Sequence, residues 1–185
     1  MNEITNMHYL FFDTETTGLP KDDHDPRIVQ LAALLTDKTG LQIEGMNVII
    51  KPEGFTIPQG ASDIHGITTE QAINEGIPLI EAMLNFNEMA HKADVIVAHN
   101  LAFDYPRYAR EINYLGLSDL IIGKGTFCTM QASTDICKIP GSYGRYKWPK
   151  LQEAHVHFLG YEFEGAHDAL ADVKACIVCP FKFVS

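Results

Sequence analysis

Two acids stand one residue apart at the end of an apolar run, in the segment Phe11-Phe12-Asp13-Thr14-Glu15-Thr16-Thr17-Gly18. On an extended strand, residues two apart leave the same face, roughly 6 to 7 Å from each other. Like charges at that spacing repel, and a hard divalent cation with oxygen ligands relieves the repulsion. Magnesium suits such a pair, because it binds through a few carboxylates together with phosphate oxygens. An Asp-x-Glu by itself also describes a solvated strand end. Its position after a buried run and before a turn favours a site.

A second acid position follows the run Val95-Ile96-Val97-Ala98-His99-Asn100. Asp104 falls in the first turn of the next predicted helix, where a carboxylate also favours the positive helix end. If that strand pairs beside the first, its C-terminal end brings Asp104 towards Asp13. The third element is His167-Asp168-Ala169-Leu170-Ala171-Asp172-Val173. Asp168 and Asp172 share a helical face, whereas His167 and Asp172, five apart, do not. Both can serve one site only if His167 lies on the loop entering the helix, with Asp168 as its N-cap. An imidazole on such a loop titrates near neutrality and can act as a general base.

The elements that must position these groups are legible from periodicity. His8–Thr14, Arg27–Asp37 and Leu41–Lys51 read as an antiparallel meander, with Lys38-Thr39-Gly40 as a turn. Pro52–Gly60 reads as extended linker, and Thr68 with Gln71 as a capping box. Leu79–Lys92 and Leu101–Leu115 have helical spacing, Gly116 stopping the second. Asp94–His99 is a buried strand, Lys138–Trp148 a loop, and Pro149–Leu159 and Asp168–Cys179 are helices. An antiparallel start followed by alternating helix and strand predicts an α/β domain, a mixed sheet flanked by helices, spanning residues 1–185 as one unit.

Composition narrows the class. An apolar fraction of 46% fits a globular domain, and no segment is long enough to cross a bilayer. The start, MNEITNMHYLFFD, has no basic stretch before an apolar run, so no secretory signal is expected and the cytoplasm is the default compartment. Cys176 and Cys179 form a C-x-x-C without a matching second pair, so they read as small buried hydrophobes. The acidic loop Pro20–Pro26, with Asp22, Asp23 and Asp25, lacks the glycine and distal glutamate of an EF-hand. A calcium-binding regulatory domain is therefore only a weak rival. A net charge of −10 argues against long-range capture of nucleic acid, but acids that bind cations attract phosphate once metal is present.

The segment Lys138–Lys150, KIPGSYGRYKWPK, interleaves Lys138, Arg145, Lys147 and Lys150 with Tyr143, Tyr146 and Trp148. Cations meet phosphates and aromatic rings stack bases, a pairing suited to single strands. The alternative is a loop whose aromatics pack onto the sheet. Both stay open at this level.

Taken together, Asp13-x-Glu15, Asp104, and His167 with Asp172 resemble, in order and spacing, the DEDDh or DnaQ-like 3′→5′ exonucleases, a group that includes the proofreading subunit of bacterial DNA polymerase III. Ile64-His65-Gly66-Ile67-Thr68 is similar to the family's iHGIT stretch and His99-Asn100-x-x-Phe103-Asp104 to its HNxxFD. The resemblance implies an RNase H-like fold with a five-stranded mixed sheet. It implies two divalent ions, Mg²⁺ with Mn²⁺ able to substitute: Asp13 bridges both, Glu15 and Asp172 complete the first, and Asp104 serves the second. His167 would be the general base, and the product a nucleoside 5′-monophosphate. Thr16, Ile64, His65, Asn100 and Phe103 would hold the terminal nucleotide, with Arg145 and Lys147 as strand contacts. The expected partner is a single-stranded 3′ end, DNA before RNA, with a polymerase or other replication or processing protein as a possible second partner and no membrane. An RNA-trimming exoribonuclease and an inactive strand-end binding module are the alternatives.

Overall fold

Two largely buried strands build the centre of the sheet. In this computed structural model, which describes residues 7–21 and 25–178, they are β1 (Tyr9–Thr16) and β2 (Ile28–Thr36). Every residue of β2 is buried, as a strand covered on both faces must be. β3 (Gln42–Ile49) forms one edge, β4 (Val95–Ala98) lies on the far side of β1, and β5 (Gly125–Cys128) closes the other edge. The order is β3-β2-β1-β4-β5. β1 runs antiparallel to β2 and parallel to β4, with Phe11 opposite Val97. The expected five-stranded mixed sheet is therefore present.

Helices cover both faces. α1 (Gln59–His65) and α2 (Thr69–Glu75) lead into α3 (Leu79–Lys92) and α4 (Leu101–Tyr114). α5 (Thr129–Cys137), α6 (Leu151–Leu159) and α7 (Ala169–Val178) follow. Strand alternation divides the core. Leu10 and Phe12 point into the larger cluster with Met83, Phe86 and Tyr108 of α3 and α4. Phe11 points the other way, into a cluster with Val97 and with Ala169, Val173 and Cys176 of α7. Asp13 and Glu15 continue the Phe11 register onto the α7 face, while Thr14 continues the register of Leu10 and Phe12 onto the α4 face.

Some expectations shift. The segment expected as linker through Gly60 becomes helical at Gln59, and β5 and α5 were not foreseen. Thr68 accepts the Gln71 N–H at 3.1 Å, but the Gln71 side chain turns to Glu75, so only half of the capping box forms. The loop after α5 contains a one-turn 3-10 helix (Ser142–Gly144). Its aromatics do not pack onto the sheet: Tyr143, Tyr146 and Trp148 are exposed. Asp22, Asp23 and Cys179 lie outside the described residues, so the acidic loop as a whole and the C-x-x-C are not addressed. Among the described residues no helix is long and apolar enough to cross a membrane.

Candidate active site

The C-terminal ends of the parallel strands β1 and β4 open into a cleft of about 490 Å³. It is lined by Asp13 and Glu15 of β1, Asn100, Phe103 and Asp104 around the start of α4, and His167 and Asp172 at the start of α7. Asn100, immediately after β4, takes a left-handed conformation (φ 77°), which Asn tolerates better than most residues, and turns the chain straight into α4. That sharp turn sets Asp104 over the end of β1. There its carboxylate accepts the Thr14 hydroxyl at 2.7 Å and the Thr14 N–H at 3.1 Å.

α7 is set by its own tether. Asp168 caps it, accepting the Ala171 N–H at 3.0 Å, as its position in the sequence suggested. The decisive residue was not foreseen. Gln30, buried in the otherwise apolar middle of β2, donates to Asp168 Oδ2 at 3.1 Å and to Asn47 Oδ1 at 3.0 Å, and accepts the Ala169 N–H at 3.2 Å. A single side chain thus fixes the N-terminus of the helix that carries Asp172. Its signal was available: it is the one polar residue between Ile28 and Leu35. His167 lies on the entering loop, exposed, with φ 70°, and its N–H reaches Asp172 Oδ2 at 3.3 Å.

Burial opposes the ionisation of all four carboxylates, and neighbouring acids add to it at Asp13 and Glu15. Burial pushes Asp13 well above the carboxylate range, and the charges of Asp104, Asp172, Glu15 and Asp168 add to it. Burial, then Asp172, Asp104 and Asp168, lifts Glu15 to about 8. Asp104 is raised to about 7 by burial, against the opposing Thr14 hydrogen bonds and the Arg107 charge. Asp172 is raised to about 6 by burial, which the His167 N–H partly offsets. Without a counter-ion such a cluster keeps protons near neutral pH, and a bound cation would favour its ionised form. Ligand atoms of Glu15, His167 and Asp172 lie within 4.8 Å of one another, and Asp172 Oδ1 is buried without a hydrogen-bond partner. The donor set is hard oxygen on three separate elements, so it fits a divalent cation such as Mg²⁺ or Mn²⁺.

The other expected contacts divide. Phe103, half-buried at the cleft, stacks on the Arg107 guanidinium at 4.7 Å, and its carbonyl accepts from that guanidinium at 3.0 Å. Thr16 is buried and donates to the Gly18 carbonyl at 2.8 Å, bracing the turn after β1. His65 lies beside Thr16 and His167 and its pKa is lowered, mainly by burial, while its neighbour Ile64 is exposed. Thr16, Ile64 and His65 are not among the cleft-lining side chains, and neither are Arg145 and Lys147, which are exposed. Lys147 pairs with Glu153 at 2.6 Å. From the basic and aromatic segment, Trp148 and Lys150 line the cleft instead, together with Leu19 and Met130, which no local pattern pointed to.

The family model described as RNase_T, exonuclease, matches residues 10–178. The chain is a DEDDh exonuclease. Proteins similar to it include an uncharacterised exonuclease, CP81, of Escherichia phage 186, 32% identical over 89% of this chain and 82% of that protein. The DNA polymerase III subunit epsilon of Treponema pallidum (strain Nichols) is 31% identical over 90% of this chain and 71% of its own length. Among solved structures, E. coli exonuclease I in complex with a dT13 oligonucleotide superposes with a TM-score of 0.79 at 22% identity, over 95% of this chain and 40% of that one. The DEDDh exonuclease thus has the expected RNase H-like fold, within a chain that spans well under half of exonuclease I.

Proposed function

We propose that this exonuclease removes nucleotides one at a time from the 3′ end of single-stranded or frayed DNA, in a reaction dependent on two divalent metal ions, and releases nucleoside 5′-monophosphates. The observation that carries the reading is the convergence of Asp13, Glu15, Asp104 and Asp172, from three elements, on one cleft beside the exposed His167. The exonuclease I neighbour bound to an oligothymidylate supports DNA as the strand.

Asp13, Glu15 and Asp172 would hold one ion, and Asp13 with Asp104 the second. Such ions, Mg²⁺ with Mn²⁺ as a substitute, neutralise the cluster and the phosphate and acidify a water. His167, on its exposed loop, takes the proton from the water that attacks the terminal phosphodiester. Thr14 keeps Asp104 turned into the cleft. Phe103, stiffened by Arg107, gives the terminal base a stacking face, while Asn100, Thr16, Ile64 and His65 complete its surroundings. Arg145 and Lys147, on the exposed loop, meet the phosphates of the trailing strand. The likeness to a polymerase III epsilon subunit supports a replication or processing protein as a second partner.

The test is digestion of a 5′-labelled single-stranded DNA oligomer beside its RNA counterpart, with Mg²⁺ and with EDTA. The expected result is a ladder shortening from the 3′ end, faster on DNA and absent in EDTA. Faster loss of the RNA would make the enzyme an exoribonuclease. Full-length strands of both kinds after incubation would leave only a strand-end binder.

A further inference from the structure

One wall of the cleft is not built by the acids. The chain after α5 folds back on itself, with the Gly141 N–H on the Arg145 carbonyl at 2.9 Å and the Lys147 N–H on the Ile139 carbonyl at 3.0 Å. The next three residues, Trp148, Pro149 and Lys150, form a strap along the cleft rim, and all three line it. The strap is held from below and from its far end. His99 Nε2 donates to the Pro149 carbonyl at 3.0 Å, while Nδ1 shares a hydrogen bond with the Thr129 hydroxyl at 2.9 Å. The Lys150 N–H is fixed by Glu153 at 2.8 Å. Pro149 is buried, but the indole of Trp148 stays 62% exposed. Among the described residues lining the cleft, Lys150 is the one Lys or Arg. A large aromatic face and a cation, adjacent and held on a fixed backbone, stand opposite a wall of carboxylates in a chain of net charge −10.

We propose that Trp148 and Lys150 form a second nucleotide subsite: the indole stacks on a base beyond the terminal one, and the ammonium meets a backbone phosphate. The proposal rests on the single-strand exonuclease reading of the cleft and deepens it. It moves the stacking role of the basic and aromatic segment to its C-terminal end. Tyr143 and Tyr146 do not line the cleft, and the Lys147 ammonium is engaged with Glu153. A π-face is common to all bases, so the subsite holds a single strand without reading its sequence.

Trp148 is the sole tryptophan of the chain, so its emission reports the subsite without any mutation. The probe is a phosphorothioate-linked oligothymidylate, resistant to hydrolysis, titrated in Mg²⁺. Saturation should quench the emission. By anisotropy of the labelled strand, Trp148→Ala should bind about tenfold to a hundredfold more weakly and Trp148→Phe should recover most of the loss. A single abasic residue walked along the strand should weaken wild-type binding at one position and leave Trp148→Ala indifferent there. Tight binding by the wild type with unchanged emission, and equal affinity for Trp148→Ala, would overturn the subsite and leave the exonuclease reading standing. Failure of the wild type to bind the strand would overturn both.

Discussion

Replacing Asp104 by Asn should stabilise the metal-free protein while destroying its activity. Asp104 is 2% exposed and its carboxyl is raised from an ordinary value near 3.8 to about 7. The folded state therefore binds more protons than the unfolded chain between about pH 4 and 7, and stability falls as pH rises through that window. At about 1.4 kcal/mol for each pH unit, moving one carboxyl that far corresponds to about 4 kcal/mol above pH 7. Asp104 shares its titration with Asp13, so protonating the neighbour relieves part of the strain, and about 2 kcal/mol is the expected gain. Asn retains an oxygen to accept both Thr14 hydrogen bonds, so the shape of the site is kept. Thermal unfolding in EDTA should then show Asp104→Asn melting about 4–8 °C above wild type at pH 8, with the gap closed near pH 4. In Mg²⁺ the wild type should recover the difference, since cation binding draws on the same charge. A variant no more stable than wild type at pH 8 in EDTA would refute the picture of a carboxylate whose ionisation is opposed by its burial.

Gln30→Leu should destabilise the fold by about 1–3 kcal/mol, because the buried Ala169 N–H loses its acceptor. It should also weaken Mn²⁺ binding, because α7 with Asp172 loses its tether; unchanged Mn²⁺ affinity would make Gln30 merely structural. His167→Ala should lose about 10²- to 10⁴-fold in turnover with metal affinity kept. Collapse of Mn²⁺ binding by calorimetry would instead make His167 a ligand beside Glu15 and Asp172. Changing Arg145 and Lys147 together to Gln should weaken strand binding and flatten its salt dependence by about 0.7 in log–log slope for each phosphate that is no longer neutralised. Equal affinity at low salt would reject both as strand contacts, and Lys147 should contribute less because Glu153 already pairs with it.

The sequence revealed the parts whose pattern is local. β2 is a run of apolar residues, and α3 has its apolar positions at helical spacing, so both could be placed closely. β5 escaped because it is a four-residue edge strand with no buried residue, and α5 because Thr129, Ser133 and Thr134 turn their hydroxyls to helix carbonyls or neighbours rather than advertising an apolar face. The acids and His167 were visible because their types and spacing are unusual in sequence. Of what surrounds them, Asn100 and Phe103 were legible too, and Trp148 and Lys150 only as members of a basic, aromatic loop. That these two residues of the loop reach the cleft depends on contacts such as that of His99 with Pro149, fifty residues apart in sequence, which have no local signature. Gln30 lay between the two cases: a polar residue inside a buried strand signals a partner but does not say which.

Diffraction from crystals grown with Mn²⁺, recorded for its anomalous signal, probes the metal centre itself. Peaks at about 2.0–2.3 Å from the carboxylate oxygens of Asp13, Glu15 and Asp172, with a second ion towards Asp104, are the predicted outcome. A saturated crystal with no manganese among these acids, or with manganese bound only elsewhere, would contradict a metal-dependent nuclease built on them.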